Sequence, residues 1–128
     1  MIGRLTTSLD VEKRIIELQR LMKLSTKASV IRIAIGISLK EVSDPRIEYP
    51  ESKNDHDGAT YQRATITGDN DELYKALLIE QINEKISEED IFPELMNAHI
   101  CRGVNKLYSD YKLKGNYEKL LDTIFELI

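Results

Sequence analysis

The sequence predicts a mainly helical protein that opens with one short strand. Three observations carry this expectation. Apolar residues recur at spacings of three and four through most of the chain. Strict alternation is confined to the N-terminus and to a few residues after Gly58. Small polar residues precede the periodic runs, where helix caps are needed.

Leu5, Thr7 and Leu9 alternate with Arg4, Thr6 and Ser8, as in a strand with one covered face. Ser8 is placed to cap a helix that runs to about Lys23, with Asp10 and Glu12 in the first turn to suit the helix dipole. Val11, Ile15, Leu18 and Met22 form its apolar stripe, widened by Ile16 and Leu21. Arg14, Glu17 and Arg20 lie largely away from that stripe. After the turn Leu24–Lys27, Ser25 or Thr26 caps a second helix. This one carries Val30, Ile31, Ile33, Ala34, Ile35, Ile37 and Leu39 and is apolar nearly all round. It belongs at the centre of a core or of an interface. Gly36 inside it costs about 1 kcal/mol relative to Ala, which predicts the close approach of another helix there. Asp44-Pro45 ends the segment.

Residues 43–58 read as a long polar loop, closed by an Asp57-Gly58 turn. Tyr61, Arg63 and Thr65 alternate as a short extended segment, and Gly68–Asp71 turns into a helix reaching about Ile86. Ser87–Asp90 starts another, which tolerates Pro93 near its first turn and continues through Leu95, Ala98, Cys101 and Val104 to Tyr108. Lys114-Gly115-Asn116 breaks it, and Tyr117–Ile128 forms a last amphipathic helix with Leu120, Leu121, Ile124 and Leu127. Residues 1–128 are expected to form one domain: a strand-helix-helix core over 1–42, a loop and turn region over 43–68 and a helical extension over 69–128.

A chain of 128 residues buries a sizeable core without disulfides, and its single cysteine excludes an internal one. No secretory leader or membrane-length apolar run is visible, so a cytoplasmic protein without a membrane partner is expected. Charge is uneven. Residues 1–46 hold nine Lys and Arg against five Asp and Glu, a net +4. Residues 47–128 hold nine against seventeen, a net −8, and the two parts make up the −4 of the whole. An anionic partner such as DNA would meet the N-terminal part.

The N-terminal pattern fits a ribbon-helix-helix. There, two chains pair their strands into a ribbon whose outward residues enter the major groove. Arg4, Thr6 and Ser8 would face outward. The start of the second helix offers backbone N–H groups at Ser25, Thr26 and Lys27 to a phosphate, with Lys23 and Lys27 adding charge. An unpaired strand edge and an oily helix together predict a homo-oligomer, a dimer or tetramer.

Other polar clusters read more simply. Asp69, Asp71 and Glu72 sit where helix-start carboxylates are expected and lack calcium-loop spacing. Asp55, His56 and Asp57 lie in a polar loop. His99 and Cys101 are two apart and do not share a helix face. No nucleophile–base pair and no metal or nucleotide motif is present, so neither catalysis nor a cofactor is expected.

The central run DGATYQRATITGDNDELYKALL, Asp57 to Leu78, resembles the middle of the DNA sulfur modification protein DndE family. So does AHICRG, Ala98 to Gly103, and so does LMKLSTKASVIRIAIGISL with its Arg32-Ile33-Ala34. The resemblance spans nearly the whole chain in order. It implies a small helical protein, related to ribbon-helix-helix folds, that acts in DNA phosphorothioation beside a cysteine desulfurase, an iron–sulfur protein and an ATPase. It also implies an oligomer that binds duplex or nicked DNA, with basic residues along the first helix. The matching stretch here offers Arg20 and Lys23, with Lys13 and Arg14 before them.

The expected function is therefore a non-enzymatic DNA-binding accessory subunit. Arg4, Lys13, Arg20, Lys23, Thr26 and Lys27 would contact phosphate. The alternatives are a ribbon-helix-helix transcriptional regulator and a protein-only scaffold for the sulfur-transfer and ATPase partners.

Overall fold

The computed structural model describes residues 3–50 and 57–127, with the backbone alone for 114, 116–123 and 127. The described chain is mainly helical. Strand β1 (Arg4–Thr6) leads into α1 (Leu9–Met22), α2 (Lys27–Leu39) and a single turn, α3 (Pro45–Glu48). Then come β2 (Thr60–Gln62), the short α4 (Arg63–Thr67), a tight turn at Gly68–Asn70, α5 (Asp71–Ile82) and the long α6 (Met96–Leu127).

Local chemistry sets most of these boundaries. Ser8 is extended, and its Oγ accepts the Val11 N–H at 3.1 Å, which starts α1. Lys23 closes α1 in a left-handed conformation, φ 56°. Of the two candidate caps for α2, Thr26 is the one used, accepting the Ser29 N–H at 3.2 Å. Asp44 caps α3, with Pro45 in the first turn, where its missing N–H costs nothing.

The two strands form one antiparallel pair, Arg4 opposite Gln62 and Thr6 opposite Thr60. The pairing runs on through Thr7 N–H to Ala59 O (3.0 Å) and Gly58 N–H to Thr7 O (2.8 Å). The partner that β1 requires is thus supplied by its own chain, not by a second copy as the ribbon reading expects. Thr6 O also accepts from Asn97 of α6 at 3.3 Å. Leu9, expected on the covered face of the strand, is instead the first residue of α1 and 44 % exposed. The Ser8 cap turns the chain before the alternation can continue.

Helix α2 is the centre of the core. Val30, Ile31, Ala34 and Ile35 are fully buried, and its largest contact is with α6. Helix α1 packs on both through Val11, Ile15 and Leu18. The segment read as a C-terminal extension therefore supplies the main cover of α2, whose core-facing side is buried within one chain while Ile33 stays 37 % exposed. Ile16 and Leu21, expected to widen the α1 stripe, are 53 % and 41 % exposed, because the contacting face is only as wide as α2 and α6 make it.

Close approach between helices does occur, but not at Gly36, where a Cβ would meet nothing within 4 Å. It occurs at Gly103 of α6, where a Cβ would lie 1.9 Å from the Ala34 carbonyl oxygen. Four further differences follow. The 43–58 loop contains α3, and its residues 51–56, including Asp55 and His56, lie outside the described residues. The chain turns helical from Arg63 instead of staying extended, with Arg32 of α2 donating to the carbonyls of Thr65 (3.0 Å) and Ile66 (2.9 Å). Helix α5 stops at Ile82 because Asn83 is left-handed, φ 53°, and returns its N–H to Ile79. Helix α6 runs straight through Gly115, since one glycine without a cap costs a continuing helix only about 1 kcal/mol. The break falls earlier, at Phe92, which is extended before a cis Pro93.

Candidate nucleic-acid interface

Burying Val11, Ile15 and Leu18 turns the opposite face of α1 to solvent. Leu9, Lys13, Ile16, Arg20 and Lys23 recur there at spacings of four and three, and all five are exposed. The side chains of Lys13, Arg20 and Lys23 make no ion pair or hydrogen bond with any described residue. The Arg4 side chain is likewise exposed and free of such partners, at the start of β1. Arg14 is different: its guanidinium donates to Asn105 Oδ1 and lies 5.2 Å from the centre of the Tyr108 ring.

The start of α2 is less available than its sequence suggests. Thr26 is exposed, but its Oγ1 already serves the Ser29 N–H and pairs with Ser29 Oγ at 2.8 Å. Lys27 is half-buried and points inward. Its Nζ donates to Glu12 Oε2 at 2.9 Å and sits 5.5 Å from the Tyr61 ring centre. Glu12 sits in the first turn of α1, as its position suggests, and is also buried. Its Oε1 accepts from Thr7 Oγ1 (3.1 Å) and Tyr61 O–H (2.7 Å). One carboxylate thus ties β1's end, α1, α2 and β2 together. Burial, with Glu12 beside it, raises the Tyr61 phenol well above its usual range, so it stays a donor.

The remaining arginines are held internally. Arg63 makes a two-pronged pair with Asp71 (2.7 and 2.9 Å), reaches Glu88 at 3.0 Å and stacks 5.1 Å from the Phe92 ring centre. Hydrogen bonding from Arg63 lowers the Asp71 carboxyl below its ordinary range, and Lys75, 2.6 Å away, does the same for Glu88. The acidic helix start at Asp71 is therefore an ion-pair partner, while Asp69 and Glu72 are exposed. Arg102 is buried and donates to Ser38 Oγ (2.9 Å), Ser38 O (2.8 Å), Ser43 O (2.9 Å) and Glu48 (2.9 Å). Arg46 pairs with Asp44 at 2.8 Å and Glu84 at 3.1 Å. Sequence alone could not separate these structural arginines from free ones, because every partner but Asp44 and Asp71 lies far along the chain.

His99 is fully buried, with Nδ1 2.7 Å from Ser38 Oγ. Desolvation lowers its pKa to about 3, so it is neutral. Cys101 is buried in the core. Among the described residues, no group of three or more His, Cys, Asp or Glu side chains is placed to hold a metal ion. Among them, too, no helix is long and apolar enough to cross a membrane.

Fold and site define a small, mainly helical protein that presents an unpaired basic face on the outside of a single core. Comparison with known proteins places it more closely. Residues 4–115 match the family of the DNA sulphur modification protein DndE, and the chain belongs to that family. The fold is similar to the crystal structure of DndE from Escherichia coli B7A, a protein described as involved in DNA phosphorothioation modification. The two share 17% sequence identity at a TM-score of 0.63, over 84% of this chain and 98% of that one. No curated protein matches this sequence.

Proposed function

We propose that this chain is a non-enzymatic, cytoplasmic accessory subunit of the DNA phosphorothioation machinery that binds duplex or nicked DNA through the phosphate backbone. Family membership supplies the pathway. The single observation that carries the DNA reading is the outer face of α1, with Lys13, Arg20 and Lys23 exposed and without a partner among the described residues. Lys40, Lys85 and Lys106 are also exposed and free of described partners, but they sit on three other segments. Arg4 and the exposed Thr26 end of α2 extend the phosphate-contacting surface. Lys27 is left out of it, because its ammonium is committed to Glu12.

In this reading the protein works as a homo-oligomer beside the cysteine desulfurase, iron–sulfur protein and ATPase of the system. A ribbon-type regulator has less support, since β1 already pairs along one edge with β2 of its own chain. A scaffold role draws support from the net −8 over residues 47–128, a surface suited to a basic protein partner.

The test is a salt titration of binding to intact and nicked duplex. Replacing Lys13, Arg20 and Lys23 by Ala should weaken binding and reduce the slope of log K against log salt by about 0.9 per lost phosphate contact. Lys40→Ala should leave both unchanged. Equal affinity and slope for the triple variant and the parent would remove the DNA reading in favour of the scaffold.

A further inference from the structure

The outer stripe of α1 holds more than cations. Leu9, Lys13, Ile16, Arg20 and Lys23 lie within about 40° of one direction around the helix, at about 100° per residue. Leu9 is 44 % and Ile16 53 % exposed, and neither belongs to the hydrophobic core. The carboxylates that flank the stripe are turned aside. Glu12 is buried and tied to Lys27 and Tyr61, and Glu17 Oε2 accepts from the Tyr108 O–H at 2.8 Å.

Single exposed apolar residues are ordinary. These two alternate with cations whose side chains have no described partner. A surface that met phosphate alone would gain nothing from them, because phosphate rows are ionic and hydrated. A DNA groove is different: between its phosphate rows lie sugars and base edges, which offer apolar contact.

We infer that α1 lies across the minor groove of duplex DNA, with Ile16 entering it between phosphates held by Lys13 and Arg20. This rests on the DNA reading above and goes beyond backbone contact. Ile16 follows Lys13 by three residues and precedes Arg20 by four. The two cations therefore stand about 10.5 Å apart along the helix axis, with Ile16 about 4.5 Å from the first. The minor groove is about 6 Å wide, so two long side chains can bracket it and leave one branched side chain over the opening. The major groove, about 12 Å wide, admits a whole helix. Helix α1 presents only one stripe, because Val11, Ile15 and Leu18 fix its other side against α2 and α6. Apolar side chains that enter the minor groove part the base steps, most readily the flexible pyrimidine–purine ones. The ligand is thus a deformable duplex, and Ile16 is the residue that selects it.

The test is binding of the full chain to two duplexes of equal length over a range of salt, one rich in TA steps and one made of A-tracts. It compares the parent with Ile16→Ser, Leu21→Ser and Lys13→Ala. Leu21 is 41 % exposed but about 120° off the stripe, so it controls for lost apolar surface in general. Ile16→Ser should bind the TA-rich duplex about five- to tenfold more weakly, and its preference for that duplex should shrink. Its slope of log K against log salt should match the parent's, since an apolar contact releases no counterion. Lys13→Ala should lower that slope by about 0.9. Leu21→Ser should bind as the parent does, and the minor-groove ligand netropsin should compete with the parent. Far-UV circular dichroism checks that each variant folds. Parent-like binding by Ile16→Ser, with the slope lowered in Lys13→Ala, would overturn the inference and leave the phosphate reading standing. A parent that binds neither duplex would remove both. Equal loss in Leu21→Ser, a lowered slope in Ile16→Ser or no competition from netropsin would each overturn the inference. So would a changed sedimentation mass of Ile16→Ser, which would assign Ile16 to a protein contact.

Discussion

Two glycines on facing helices should respond to the same substitution with opposite signs. At Gly103 a new Cβ would stand 1.9 Å from the Ala34 carbonyl oxygen and 2.4 Å from its carbonyl carbon. Carbon and oxygen rest comfortably only beyond about 3.3 Å, so α6 would have to retreat from α2 by more than an ångström. The obstacle is backbone inside a helix, which cannot rotate away as a side chain could. Retreat would also loosen Ile100, Val104 and Leu107, which are buried on the same helix. Overpacking of this kind costs up to about 3 kcal/mol, and Ala returns about 1 kcal/mol through helix propensity. The net expectation for Gly103→Ala is a loss of about 2 kcal/mol, a fall in Tm of roughly 6 to 12 °C for a chain this size. At Gly36 a Cβ meets nothing within 4 Å, so only the propensity acts. Gly36→Ala should gain about 1 kcal/mol. Urea melts followed by circular dichroism measure both. A Gly103→Ala protein as stable as the parent, or a Gly36→Ala protein that is clearly weaker, would refute the packing described for α2 and α6.

Two further outcomes separate structural from surface charge. Lys27→Ala leaves the Glu12 carboxylate buried with only two hydroxyl donors, and should cost about 1–2 kcal/mol after allowing for the partial exposure of Lys27. Lys23→Ala, on the open face, should stay within about 0.5 kcal/mol of the parent in the same urea melts; equal losses would contradict the assignment. His99 gives a pH signature. Its folded pKa of about 3 lies below the ordinary value of 6.5, so the unfolded chain binds a proton in that interval and the folded chain does not. Its contribution is complete above pH 6.5 and is lost as pH falls toward 3, with a slope approaching about 1.4 kcal/mol per unit. The lowered carboxyls of Asp44, Glu48, Asp71 and Glu88 add losses in the same direction only in the more acidic part of that range. His99→Gln should flatten the dependence between pH 6.5 and 5, and melts at three pH values there would show whether it does.

The parts of the fold legible in the sequence are those decided within a few residues. Ser8 and Thr26 cap as their types suggest, and the stripe Val11, Ile15, Leu18 buries as its spacing requires. The parts that were not legible depend on distant partners. Nothing local tells that β1 finds Thr60–Gln62, or that the glycine needed for helix contact is Gly103 and not Gly36. The candidate site divides the same way. Lys13, Arg20 and Lys23 are on the outer face because the helical period puts them opposite the apolar stripe. Lys27 left the surface because of Glu12, fifteen positions earlier, whose burial in turn depends on Tyr61.

The clasp between β1 and β2 has a consequence for the order in which the chain assembles. Arg4 lies opposite Gln62, so α1, α2 and α3 all sit inside the loop that this pairing closes. Two strands of three residues offer few hydrogen bonds against the entropy of closing so long a loop. The pair is held in register only once α1 and α4 are docked on α2 and bring its two halves together. Strand β1 is then expected to pair late and to release early, while α2 keeps its contact with α6. Arg4, at the end of that clasp, is thereby the exposed cation whose position depends most on the whole molecule being folded.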